Sequence, residues 1–285
     1  MFTETVRDGA DNLGGRDHAH LYGVRTDVVE HRVKLQAHEI RRRLLDARHS
    51  ERVLRRERGN DSLGIKPMRC DGFDIGLDAS LIGAYGHDDR VCGYAGLQAI
   101  LELSGPAKTA VCMLADKEEI GSMGVTGMQS AAFDTFMHDL CDGQGVPLRA
   151  CYENSFCLSC DVTAAYDPNF PEVFEKRNAA FVNYGIGLCK YTGARGKSGA
   201  SDASAETVAY VRRVLDEADV LWHISELGKV DAGGGGTVAM YMANRNIATL
   251  DAGVPVLSMH APFETVSKLD CYMTYKGCKA IYEAE

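Results

Sequence analysis

Asp116-Lys117-Glu118-Glu119-Ile120-Gly121-Ser122 follows directly on the apolar run Thr109-Ala110-Val111-Cys112-Met113-Leu114. Two neighbouring carboxylates therefore leave a buried-strand pattern and enter a turn, at the edge where open α/β folds build their sites. Adjacent side chains on extended backbone point in different directions. One Glu can then bind a metal while its neighbour handles a proton, and metal-assisted hydrolysis needs that division.

Three further stretches supply matching groups: Gly86-His87-Asp88-Asp89-Arg90, Ser159-Cys160-Asp161-Val162-Thr163, and Val256-Leu257-Ser258-Met259-His260. Carboxylate oxygens and imidazole nitrogens suit zinc in an open, catalytic coordination shell. Each fragment taken singly has a plainer reading. An Asp-Asp or Glu-Glu pair is also what a solvated turn looks like, and a lone His often sits satisfied in a core. In combination, next to apolar strand-like runs, they point to a metal centre.

The elements that must position these groups alternate from Gly72 onward. Asp89 to Leu103 reads as a helix, with Val91, Tyr94, Leu97, Ile100 and Leu101 on one face. Strand patterns fall at 109–114, 156–162, 221–224 and 254–259, with a further apolar run at 180–190. Helical patterns fall at 124–140, 203–218, 236–244 and 264–282, and 191–201 reads as turn-rich. Strands alternating with helices imply an α/β fold, a mainly parallel mixed sheet with helices on both faces. No linker divides residues 73–285, which are expected to form one catalytic domain.

The first 72 residues differ. Residues 1–70 carry 15 Lys and Arg against 11 Asp and Glu, a net of +4, so the rest holds −13 of the chain's total of −9. The stretch from His31 to Arg58 is rich in Arg and His with irregular apolar spacing. It is read either as a short basic N-terminal appendage or as a stretch outside the fold.

At 285 residues the chain can bury one large core. Its acidity argues against a nucleic-acid partner, because phosphate binding needs a basic face. No apolar run reaches the ~20 residues that span a bilayer, and no secretory signal opens the chain. The ten cysteines lack regular spacing, as expected of reduced thiols in a cytoplasmic protein. Cys157-Leu158-Ser159-Cys160 stands alone as a Cys-x-x-C, without the second pair of a structural zinc site. The Gly-rich stretch Asp231-Ala232-Gly233-Gly234-Gly235-Gly236-Thr237 is not a P-loop, since no Gly-Lys-Ser/Thr follows it.

Ile82-Gly83-Ala84-Tyr85-Gly86-His87-Asp88-Asp89-Arg90, the Asp116–Ser122 segment and Asp161-Val162-Thr163-Ala164-Ala165-Tyr166-Asp167-Pro168 come in that order. Glu226-Leu227-Gly228-Lys229-Val230-Asp231 with Gly233–Gly236, and Ala252-Gly253-Val254-Pro255-Val256-Leu257-Ser258-Met259-His260, follow them. Together they resemble the aminopeptidase I / aspartyl aminopeptidase family of dinuclear zinc exopeptidases, over residues 73 to 285.

The resemblance implies that Asp88 bridges two zinc ions, that Glu119 and His260 complete one metal, and that Asp161 serves the other. Glu118 would be the general base, taking a proton from a metal-activated water and returning it to the leaving amine of a peptide substrate. A cis peptide between Asp88 and Asp89 is implied as well, as is a homo-oligomer. The Gly-rich segment would lie beside the substrate, with Asp231, Gly233, Gly234 and Gly235 in contact. The plainer reading of these glycines is a helix-start turn. Arg195 and Lys197 would meet an acidic side chain of the substrate, or form a solvated basic turn.

The family also opens its catalytic domain with a strand carrying His-x-Asp, whose His completes the Asp161 metal. That element is not found in the sequence; Asp17-His18-Ala19-His20 has the wrong order. The expectation is therefore the C-terminal part of such an enzyme, with one incomplete metal site and impaired activity. The alternative is a non-catalytic structural or regulatory subunit that keeps the fold and assembles with full-length copies.

Overall fold

The structure, a computed structural model, describes residues 2–6, 72–195, 198–229 and 231–284. Only the backbone is described for residues 2–6 and Ala194. Most of the expected appendage, with Asp17 to His20, lies outside the described residues, as does Lys197.

A six-stranded sheet forms the centre, in the order β10-β7-β11-β5-β1-β4. Its strands are β1 (Phe2–Val6), β4 (Thr109–Met113), β5 (Ser155–Cys160), β7 (Ile186–Cys189), β10 (Trp222–Ile224) and β11 (Ala248–Gly253). β1 pairs antiparallel with both β4 and β5, so those two run in the same direction, and β11 runs parallel to β5. β7 opposes β11, and β10 runs parallel to β7. The α/β class stands, with strand directions more mixed than the alternation of elements implied. Phe2–Val6, expected in the appendage, pairs within this sheet.

Helices cover both faces, and the strands show why. Leu158 and Cys160 of β5 belong to one buried cluster and Cys157 to the other, because residues an odd number apart on a strand face opposite ways. The Cys-x-x-C pair is thereby split across the sheet. On the first face lie α1 (His87–Leu101), α4 (Ala205–Glu217) and α6 (Lys268–Glu283). On the second lie α2 (Ala132–Gln144) and α5 (Ala239–Ala243), with α3 (Leu148–Glu153) beside them. α4 buries Val211, Val214 and Leu215, as its spacing predicts, and starts on Ser204, whose hydroxyl accepts the Thr207 N–H at 3.1 Å.

Four expectations need correction. α1 buries Cys92, Ala95, Gly96 and Ala99, while Tyr94 and Leu101 are exposed; its small residues let it approach α6. The region 191–201 contains an antiparallel pair, β8 (Tyr191–Ala194) and β9 (Ser198–Asp202). The helix expected from Gly124 begins only at Ala132. The closing helix starts at Lys268, and Glu264–Ser267 before it is strand β13.

β13 belongs to a five-stranded second sheet, ordered β2-β3-β13-β12-β6. Its other strands are β2 (Phe73–Ile75), β3 (Leu81–Ala84), β6 (Thr163–Ala164) and β12 (Pro255–Leu257). This sheet brings the segment before Asp88 against the segment after His260, since β3 pairs directly with β13.

Candidate metal centre

β4 and β5 run the same way, so Glu118-Glu119 and Asp161 leave the main sheet at the same edge. β3 leads into Asp88 at the start of α1, and β12 leads into His260. The gathering is direct: His260 Nε2 lies 2.9 Å from Asp88 Oδ2 and 3.0 Å from Glu119 Oε1. A second group, Asp88, Asp89 and Asp161, shares the Asp88 carboxylate, and the donor atoms within each group lie within 4.8 Å of one another. The Asp88–Asp89 peptide is cis, as the resemblance implied. Asp88, Asp89, Glu119 and His260 border a cleft of about 620 Å³ that Tyr85, Arg90, Leu114 and Glu264 also line.

Electrostatics give the cluster its character. Burial, then the hydrogen bond and charge of Glu119, push the Asp88 carboxyl up to about 7. Burial lifts Asp89 to about 6. Asp161 is driven upward by burial first and then by Asp89, Asp88 and Glu118. Glu118 is raised by burial and then by Glu119. Carboxylates crowded in this way repel one another unless protonated or joined by a cation. Asp89 Oδ1 is buried without a hydrogen-bond partner. Crowded carboxylates, an unpartnered oxygen and one imidazole fit divalent cations.

The two glutamates sit in a 3-10 turn, not on the extended backbone their sequence implied. Its shape is fixed from outside. Lys117 has φ 63°, and its Nζ donates to Asp116 Oδ2 at 3.1 Å and to Thr126 Oγ1 at 2.9 Å. Gln129 donates to the Gly121 carbonyl at 2.7 Å. In this turn Glu119 reaches His260 while Glu118 belongs to neither donor group.

The residues expected at the substrate form a second cavity. Asp231, Gly233 and Gly234 line a separate cavity of about 290 Å³ with Tyr191, Gly193, Glu226 and Lys229, and it shares no lining residue with the cleft at Asp88. Gly235 is not among its lining residues. Arg195 is exposed, and its backbone N–H donates to the Gly233 carbonyl at 2.8 Å. Gly234 has φ 97°, and a Cβ there would lie 2.2 Å from the Gly193 carbonyl, so backbone packing alone demands glycine. The sequence reading missed Asp89, Glu226 and Glu264. The Asp-Asp pair itself could have flagged Asp89. Burial lifts Glu226 to about 7, which no local pattern announces.

The fold and the two donor groups define a class: α/β proteins with a candidate metal centre at the strand edge. The aminopeptidase I zinc metalloprotease (M18) family matches residues 68–282, and the chain belongs to that family. A probable M18 family aminopeptidase 1 of Clostridium acetobutylicum is 49% identical over 211 residues, covering 73% of this chain and 45% of the relative. The crystal structure of aminopeptidase I from the same organism superposes with a TM-score of 0.69 at 46% identity, over 75% of this chain and 46% of that one. The Thermotoga maritima M18 aminopeptidase gives 0.72 at 43% identity, over 75% and 48%. The chain spans about half the length of the curated relatives it matches.

Proposed function

We propose that residues 73–285 form the catalytic domain of a zinc metallo-aminopeptidase that removes N-terminal residues from peptides. The observation that carries this reading is the meeting of Asp88, Glu119 and His260, from three separate segments, around one imidazole nitrogen. Asp88 is the shared ligand, Glu119 and His260 complete one zinc, and Asp161 serves the second. When bound, zinc supplies Lewis acidity toward a carbonyl oxygen and lowers the pKa of a water molecule.

Glu118 is the general base. Its raised carboxyl stands outside both donor groups, free to take a proton from water and deliver it to the nitrogen of the leaving amine. Among the described residues the group around Asp161 offers carboxylates only, so on this reading the second zinc is held less firmly and activity is impaired. Asp231, Gly233 and Gly234 contact the peptide from their own cavity, with Gly235 and Arg195 adjoining. Assembly with further copies of the chain belongs to the same reading, supported by the exposed Ile120, Met123 and Val125.

The test is metal analysis of the purified full chain together with hydrolysis of acidic and neutral aminoacyl anilides. About one firmly held zinc per chain, with slow turnover that rises on adding zinc, is the expected result. A chain that retains zinc yet never hydrolyses an anilide would be the non-catalytic subunit. A chain that binds no divalent metal at all ends the proposal.

A further inference from the structure

Glu264, the first residue of β13, is 2% exposed. No Lys or Arg pairs with it among the described residues. Its two oxygens have a different use. Oε2 accepts the Asp88 N–H at 3.0 Å, and Oε1 accepts the His260 N–H at 2.9 Å. One carboxylate thus grips the backbone of two residues whose side chains meet 2.9 Å apart in the cluster.

The chemistry favours glutamate over any neutral substitute. Two converging donors call for two acceptors, and a carboxylate is all acceptor. Glutamine would satisfy one N–H and turn its own NH₂ toward the other. As a carboxylate, Glu264 would also bring a further negative charge to the low-dielectric surroundings of the neighbouring cluster, which raises its affinity for a divalent cation. Glu264 belongs to neither donor group, which leaves it beside the donor set and not in it.

We propose that Glu264 is a positioning residue. It fixes the Asp88 and His260 backbones so that their side chains converge, and its charge strengthens cation binding. This rests on the metal centre proposed above.

The test compares full-chain wild type with E264Q by competition titration of zinc against a chromogenic chelator, alongside far-UV circular dichroism. E264Q is expected to keep its spectrum and to bind zinc about 10–100-fold more weakly, the usual effect of losing an outer-sphere partner. A folded E264Q that binds zinc as tightly as wild type overturns the positioning role and leaves the metal centre standing. Wild type that binds no zinc overturns both. Should E264Q fail to fold, hydrogen exchange on metal-free wild type decides. Slow exchange at the Asp88 and His260 amides supports the clamp, and free exchange at either removes it.

Discussion

Glu118 and Glu119 are the same chemical group on successive residues, yet their surroundings set them apart. Glu119 Oε1 lies 3.0 Å from His260 Nε2, whereas Glu118 belongs to neither donor group. On the proposed roles, E118Q removes the proton acceptor and spares the zinc donors. Its zinc content is expected to match wild type while anilide hydrolysis falls on the order of 10²–10⁴-fold. E119Q is expected to lose zinc. If E118Q sheds zinc as readily, Glu118 is a ligand and the role of base belongs elsewhere. His260 supplies the one imidazole in the two donor groups. H260A should weaken zinc, read by the same chelator competition, by more than the roughly 10–100-fold seen when outer-sphere partners are lost.

At the scale of elements, the site depends on strand ends staying where pairing puts them. Gly253 closes β11, and a Cβ there would lie 1.7 Å from the Asp161 carbonyl oxygen. G253A must push the Asp161 backbone aside and is expected to cost about 1–3 kcal/mol by urea unfolding, in the range of overpacked cores. Gly143, in α2, has nothing within 4 Å of its Cβ position. G143A should leave stability unchanged or raise it by up to about 1 kcal/mol, and equal losses in both variants would disprove the packing account. The run from Thr109 into the Glu-Glu turn was legible because a buried strand announces itself in apolar residues. The second sheet was not. Glu264–Ser267 is four residues long, merges in sequence with α6, and becomes a strand through pairing with the distant Leu81–Ala84. The buried face of α1 was hidden for another reason: Ala95, Gly96 and Ala99 carry little hydropathy, and their value lies in close packing. β8 and β9 read as turns because small residues, Gly, Ala and Ser, make up most of them, and their pairing overrides that preference.

For the molecule as a whole, the fold buries carboxyl groups that hold hydroxyls or backbone N–H groups, and among the described residues no Lys or Arg side chain pairs with them. Asp251, on β11, is pushed up to about 6 by burial, against the opposing hydroxyls of Ser159 and Thr237. Asp270 is pushed up to about 6 by burial, although its oxygens accept the Asn183 and Gly185 N–H groups at 2.8 Å. A carboxyl raised above its unfolded value of 3.8 keeps its proton in the folded chain while the unfolded chain has lost it. Between about pH 4 and 6 the folded state therefore binds more protons, and stability falls as pH rises. Each group contributes on the order of 1–3 kcal/mol to that fall. Asp134 works in the other direction, its carboxyl lowered first by the Arg245 guanidinium. Its contribution is present above about pH 4 and is lost as pH falls below that. Metal-free protein, melted in EDTA, should thus be most stable near pH 4–5 and lose stability steadily toward pH 7. D251N, which cannot ionise, should show a shallower decline over the same window. A stability curve that climbs from pH 4 to 7, with D251N parallel to wild type, would mean that these carboxyls are ionised in the folded chain throughout.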